Sequence, residues 1–155
     1  MSDKPELHPV QLKEIFVSEL TALVHDHNAA RDFQGNVTIK TKMGNTPYEE
    51  GSSFVGVRVD VSVAPALEEG QERPIFEFSV KLEGHFEVDF TKFKPEHIDE
   101  WARVNAIFLI MPYVREHVYG LALRTGIRGI MLPMLVIPRL PSKGPVPPKE
   151  NAASK

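Results

Sequence analysis

The chain has 155 residues, with 18 basic and 21 acidic side chains and no cysteine. That length points to a single domain with a core of ordinary size, and the near-balanced charge speaks against a nucleic-acid footprint. Without cysteine there is no disulfide, no thiol nucleophile and no thiolate zinc site. The start, Met1 to Glu6, is polar and lacks the apolar core of a secretory signal, so a cytoplasmic location is expected.

Residues 1–9 read as a flexible lead ending at Pro9. From Gln11 to His25 two patterns compete. Leu12, Ile15, Phe16, Leu20, Leu23 and Val24 fall on one helical face, whereas Ile15, Phe16, Val17, Thr21 and Val24 are strand formers. The stripe alone favours a helix. His25 and His27 share a face if the segment is a strand, but no third ligand lies nearby, so an exposed pair is expected rather than a metal site. Val37 to Lys42 is a short strand, and Gly44-Asn45-Thr46-Pro47 turns the chain.

Val55, Val57, Val59, Val61 and Val63 alternate with polar or small residues. From Ile75 to Phe90 the alternation of apolar with polar residues is unbroken. Both are expected to be antiparallel strands with one dry and one wet face, joined by the polar loop Pro65 to Pro74. Pro95 suits a first helical position, with Glu96, Asp99 and Glu100 at the positive end of the dipole. The helix is expected to run from Trp101 to a glycine cap at Gly126, broken near Pro112. Ile127 to Ile137 reads as an extended apolar segment. Residues 138–155, with Pro138, Pro141, Pro145, Pro147 and Pro148, read as a disordered tail.

The decisive stretch is Ala106 to Leu121. Its first half is apolar all round, so it must be buried all round. One small domain covers one face of such a helix, and a second copy of the chain is expected to cover the other. The run is too short for a membrane span, and Arg115 and Glu116 close it off; no membrane insertion is expected.

Met111-Pro112-Tyr113-Val114-Arg115-Glu116 resembles the Phe-Pro-Tyr-Ala-Arg-Glu element of the SecB family of export chaperones. It follows a long alternating strand carrying Gly84-His85-Phe86, as in that family, and Ile130 to Ile137 resembles the Pro-containing stretch after the main helix. The resemblance implies an α+β fold over residues 10–137: a four-stranded antiparallel sheet with a long, Pro-interrupted helix packed on one face, assembled as a dimer of dimers. It also implies that Gln11 to His25 is a strand. The function implied is that of an ATP-independent holdase, which keeps unfolded or precursor polypeptides competent for export or folding.

In SecB proteins the outer sheet face offers carboxylates to the export motor SecA. The matching positions are Glu19, Leu23, Glu77 and Ser79, so Glu19 and Glu77 mark a docking surface that is acidic only in part. Pro138 and Pro141 replace the usual second helix. Some SecB-like proteins instead guard the antitoxin of a toxin–antitoxin pair. Their Tyr-Pro-Tyr-Ile-Arg-Glu motif is also similar to Met111–Glu116, so an antitoxin is the alternative partner.

Client contacts are expected from Phe33, Phe54, Val55, Val57, Trp101, Ile130, Met131, Leu132 and Met134. The oligomer interface is expected to use Ile107, Ile110, Met111, Val114, Val118 and Leu121. Arg115 and Glu116 read equally as a solvated helix edge or as a buried structural pair. Asp99 and Glu100 point apart as helix neighbours. The sequence contains neither a phosphate loop nor a Ser/His/Asp constellation, so a non-catalytic protein without cofactor or metal is expected.

Overall fold

The computed structural model describes residues 5–134, so the expected tail lies outside the described residues. Strands β1 (Val10–Val24), β2 (Val37–Asn45), β3 (Phe54–Pro65) and β4 (Phe76–Val88) form one antiparallel sheet in the order β1-β4-β3-β2. A short helix α1 (His27–Arg31) follows β1, its first turn capped by the Asp26 carboxylate, which accepts from the backbone N–H of Asn28 and Ala29. After β4 come a 3-10 turn (Pro95–His97), α2 (Ile98–Trp101), a π-helical segment (Ala102–Ala106) and α3 (Ile107–Arg124). The α+β architecture and the four antiparallel strands match the expectation.

The two central strands behave as their alternation requires. Val55, Val57, Val59, Val61 and Val63 on β3 and Phe76, Phe78, Val80, Leu82 and Phe86 on β4 are buried on one face, the inner face. Glu77, Ser79, Lys81, Glu83, His85 and Glu87 lie on the outer face, half-exposed. β2 continues to Asn45, past the expected turn at Gly44, because its register with β3 runs without interruption from Val37↔Pro65 to Asn45↔Val57.

β1 is a strand, against its helical stripe. Its pairing with β4 slips twice, between Leu12 and Glu14 and again between Val17 and Glu19. Each bulge inserts one residue and flips the faces that follow. Leu12, Ile15, Val17, Leu20, Ala22 and Val24 therefore share the inner face at steps of two and three. Phe16 and Leu23, paired with Glu83 and Glu77, stand on the outer face. A strand with two bulges thus imitates helical spacing.

α3 lies against β4 where Gly84 leaves room. A Cβ on Gly84 would stand 2.9 Å from Ile110 Cδ1 and 3.2 Å from Phe86 Cε2. Gly84→Val is expected to destabilise the fold by about 1–3 kcal/mol through overpacking. Ile110→Ala in the same chain should recover part of that loss, a coupling readable in a urea double-mutant cycle. Strictly additive losses would show that this contact does not set the helix–sheet distance.

The break expected near Pro112 is absent: α3 passes through Pro112, and the departure from α geometry is at Ala102–Ala106 instead. Pro112 is on the exposed side. The carbonyl of Phe108 that it leaves without an intrahelical donor is there within reach of water. The helix ends as expected at Gly126, with φ +76°. Ile127 donates to the Ala122 carbonyl and Gly126 to that of Leu123, the two bonds of a Schellman cap. Beyond it the chain runs back beside α3 without strand pairing, burying Ile127, Ile130 and Leu132 and leaving Met131 and Met134 exposed.

Candidate functional site

Among the described residues no polar or charged side chain is buried, and no group of three His, Asp or Glu is placed to hold a metal. No helix of the described chain is long and apolar enough to cross a membrane. What the surface offers is apolar area in three places. The first is the outer stripe of α3, where Phe108 is 51% exposed and Leu109, Tyr113, Tyr119 and Leu123 are exposed with it. The second is β1, whose Val17 and Leu20 on one face and Phe16 and Leu23 on the other are all exposed. The third comprises Phe54, Met131 and Met134, at 54%, 65% and 82% exposure.

Phe108 stands between two grooves. One, of about 580 Å³, lies between the start of β1 and the helix and is walled by Val10, Leu12, Trp101, Leu109 and Tyr113. The other, of about 130 Å³, lies between α3 and the returning segment, with Met111, Pro112, Pro133 and Met134 on its sides.

These surfaces redistribute the residues expected from sequence. Ile107, Ile110, Met111, Val114 and Val118 are buried against the subunit's own core, and Leu121 is half-buried. They face the sheet and are not free to meet a sister subunit. Val55 and Val57 are interior, as are Ile130 and Leu132. Trp101 is buried edge-on to Phe86, at 5.2 Å between ring centroids, with His8 stacked over it. Phe33 is half-buried, edge-on to Phe76. Of the expected client contacts, Phe54, Met131 and Met134 are open to solvent. Arg115 is half-buried and Glu116 exposed, and the two form no ion pair with each other.

Glu19 and Glu77 stand on the outer sheet face, both engaged. Glu19 accepts from the Lys81 ammonium at 2.6 Å, and this bond, helped by the Ser79 and Thr21 hydroxyls, holds its carboxyl below the usual glutamate range. Glu77 is bonded to His25 Nε2 at 3.1 Å. Across the sheet Glu19 pairs with Lys81, Lys81 with Asp60 and Asp60 with Lys42, a row of alternating sign. In the next row Thr21, Ser79 and Ser62 are short and hydroxylic, and Lys40 ends it at the β2 edge. This row floors an outer-face cavity of about 570 Å³ walled by Leu23, Leu67 and Pro74.

No protein-family model and no curated protein sequence matches the chain. Among solved structures it is similar to a SecB-like chaperone of Mycobacterium tuberculosis, solved in complex with a ChAD peptide from the HigA1 antitoxin. The TM-score is 0.68 at 20% identity, over 82% of this chain and 91% of that one. The chain has the SecB-like fold. A protein of unknown function from Streptococcus agalactiae is also similar, with a TM-score of 0.47 and 10% identity over 81% of this chain and 97% of that one.

On the SecB-like fold of this chain, sequence reasoning missed the outer stripe of α3. A signal for it was present. The residues with polar ends or charges, Tyr113, Glu116, Tyr119 and Arg124, are on the exposed side, whereas Ile107, Ile110, Met111, Val114, Val118 and Ala122 carry no oxygen or nitrogen beyond the backbone. A helix covered on one side turns its polar-tipped residues outward, even when both sides are apolar.

Proposed function

We propose that this chain is an ATP-independent molecular chaperone, a holdase of the SecB-like family, that works in the cytoplasm as a dimer of dimers. One observation carries the reading: α3 is apolar on two sides, and the subunit covers one. The outer stripe of Phe108, Leu109, Tyr113, Tyr119 and Leu123 packs on a sister subunit, and the exposed apolar side chains of β1 extend the contact. Phe54, Met131 and Met134 are left for clients. Thioethers suit that task, because Met adapts to many shapes and each contact adds only roughly 25 cal/mol per Å² of apolar area. Many such contacts hold a long unfolded chain without dictating its sequence. The clients are precursors kept competent for translocation or folding.

The test is light scattering of a chemically denatured protein diluted into buffer. The chain in equimolar amount is expected to suppress most of the aggregation without nucleotide, and the mass by sedimentation should be that of an oligomer. A monomer that leaves aggregation unchanged would refute the proposal.

A second reading is a dedicated partner, the antitoxin of a toxin–antitoxin pair, and the antitoxin peptide held by the Mycobacterium SecB-like protein favours it. A dedicated chaperone would bind one short peptide far more tightly than other unfolded chains. Docking to the motor SecA draws less support, since Glu19 and Glu77 are already engaged by Lys81 and His25.

A further inference from the structure

The two edges of the sheet are built differently. β1 is twice bulged, and Ser18 beside the second bulge turns its hydroxyl to the Lys81 carbonyl. Bulges of this kind blunt an edge against further pairing. β2 has none. Its nine residues keep one register with β3 throughout. Among the described residues no backbone hydrogen bond joins β2 to a further strand or loop on its free side. A regular edge of that length presents a row of unpaired N–H and C=O groups, the template that strand addition uses.

The side chains on this edge specify what it accepts. Val37, Ile39 and Met43 lie on the inner face, paired with Pro65, Val63 and Val59, so an added strand would continue an apolar face there. Thr38, Lys40 and Lys42 lie on the outer face and are exposed. Neither lysine has an ion pair among the described residues, although Lys42 lies opposite Asp60, whose carboxylate is held by Arg58 at 2.8 Å. The two ammonium groups thus stand two residues apart at the open side of the sheet, roughly 7 Å along the strand. Like charges placed opposite one another are destabilising, so a second copy of this edge is a poor partner. Carboxylates at alternate positions are a good one.

We propose that β2 takes an extended client segment as a fifth strand, and that Lys40 and Lys42 select segments with apolar residues on one face and carboxylates on the other. The proposal rests on the chaperone reading and adds to it a mode of client recognition: main-chain pairing gives affinity, and the two lysines give preference.

The experiment uses the full chain and labelled nine-residue peptides matched to β2, read by fluorescence anisotropy. A peptide alternating Val and Glu is expected to bind about ten-fold more tightly than one alternating Val and Lys, from two attractive pairs replaced by two repulsive ones. The double variant Lys40→Glu/Lys42→Glu, both sites exposed, should keep its circular dichroism spectrum and reverse that order. N-methylation of the Val/Glu peptide at odd or at even positions gives a second readout. An added strand at an edge uses only one of its two rows of N–H groups, so one methylated peptide should lose binding and the other keep it.

Equal binding of the two charge patterns by wild type and double variant would overturn the proposal, as would equal behaviour of the two methylated peptides. Tighter binding of a single-stranded oligonucleotide than of the Val/Glu peptide would also overturn it. Suppression of aggregation is measured alongside. If it persists while the peptide tests fail, only strand addition at β2 is wrong; if both fail, the chaperone reading falls with it.

Discussion

Ile110→Asp abolishes cooperative folding of the subunit: this is the largest effect expected of any single change in α3. Ile110 has no exposed surface and packs on β4 at the one position, Gly84, where the inner face has no side chain. Buried polar groups are absent among the described residues, so no donor waits there for a carboxylate. An unpaired charge in such a place costs several kcal/mol, or protonates and still loses the packing of a large side chain. Against a total stability of about 5–15 kcal/mol, that cost removes most or all of the folded population. Far-UV circular dichroism and urea unfolding would show it as loss of the cooperative transition. A variant that unfolds cooperatively at an unchanged midpoint would show that α3 does not pack on β4 through this face.

One residue earlier the expected outcome is the opposite. Leu109 lies on the outer stripe between Phe108 and Tyr113, exposed in the lone subunit. Leu109→Asp should leave subunit stability within about 0.5 kcal/mol, as surface substitutions do. In the assembly the new carboxylate would be desolvated against another apolar surface, with no partner to meet it. A penalty of about 2–5 kcal/mol raises the dissociation constant by roughly one and a half to three and a half orders of magnitude. Sedimentation equilibrium at micromolar concentration should then find subunits of 17.4 kDa in place of an oligomer. Unchanged mass would remove the outer stripe from the interface. The pair tests two roles of one helix: a charge at Ile110 is expected to destroy the subunit, and a charge at Leu109 to dissociate the proposed oligomer.

The parts of the fold legible in the sequence are those where one structural period acts alone. β3 and β4 are central strands paired on both sides, so a residue out of phase would put a polar group in the core; their alternation is clean and their faces follow directly. The cap at Gly126 was legible because few residues other than glycine accept a φ of +76°. β1 was not legible from pattern alone, because two bulges convert a period of two into steps of two and three. An edge strand also tolerates apolar residues such as Phe16 and Leu23 on its outer face. The resemblance of Met111–Glu116 to the SecB element identified it as a strand where periodicity did not.

The candidate surfaces show the same division. Met131, Met134 and Phe54 were identified and are exposed, while Val55, Val57, Ile130 and Leu132 were identified and are interior. Along β3 and the segment after α3, neighbouring residues point to opposite sides, and a run of apolar residues does not reveal which side meets the sheet. The residues expected to meet a sister subunit lie on the face of α3 that packs on the subunit's own sheet, for a related reason. Periodicity sets the angle between Ile110 and Leu109 around the axis, but not which of the two points inward.

By itself, then, the order of residues determined that α3 would carry apolar surface on both sides, more than a subunit of this size can hide. It also determined that β3 and β4 would each have a dry face to receive the helix. Which side of the helix that dry face receives was decided in three dimensions, by the gap at Gly84 into which Ile110 fits and by the exclusion of polar-tipped Tyr113 and Tyr119 from an interior without partners for them. Hydrophobicity fixes how much surface must be covered. Shape fixes which surface is covered at home and which is left for others.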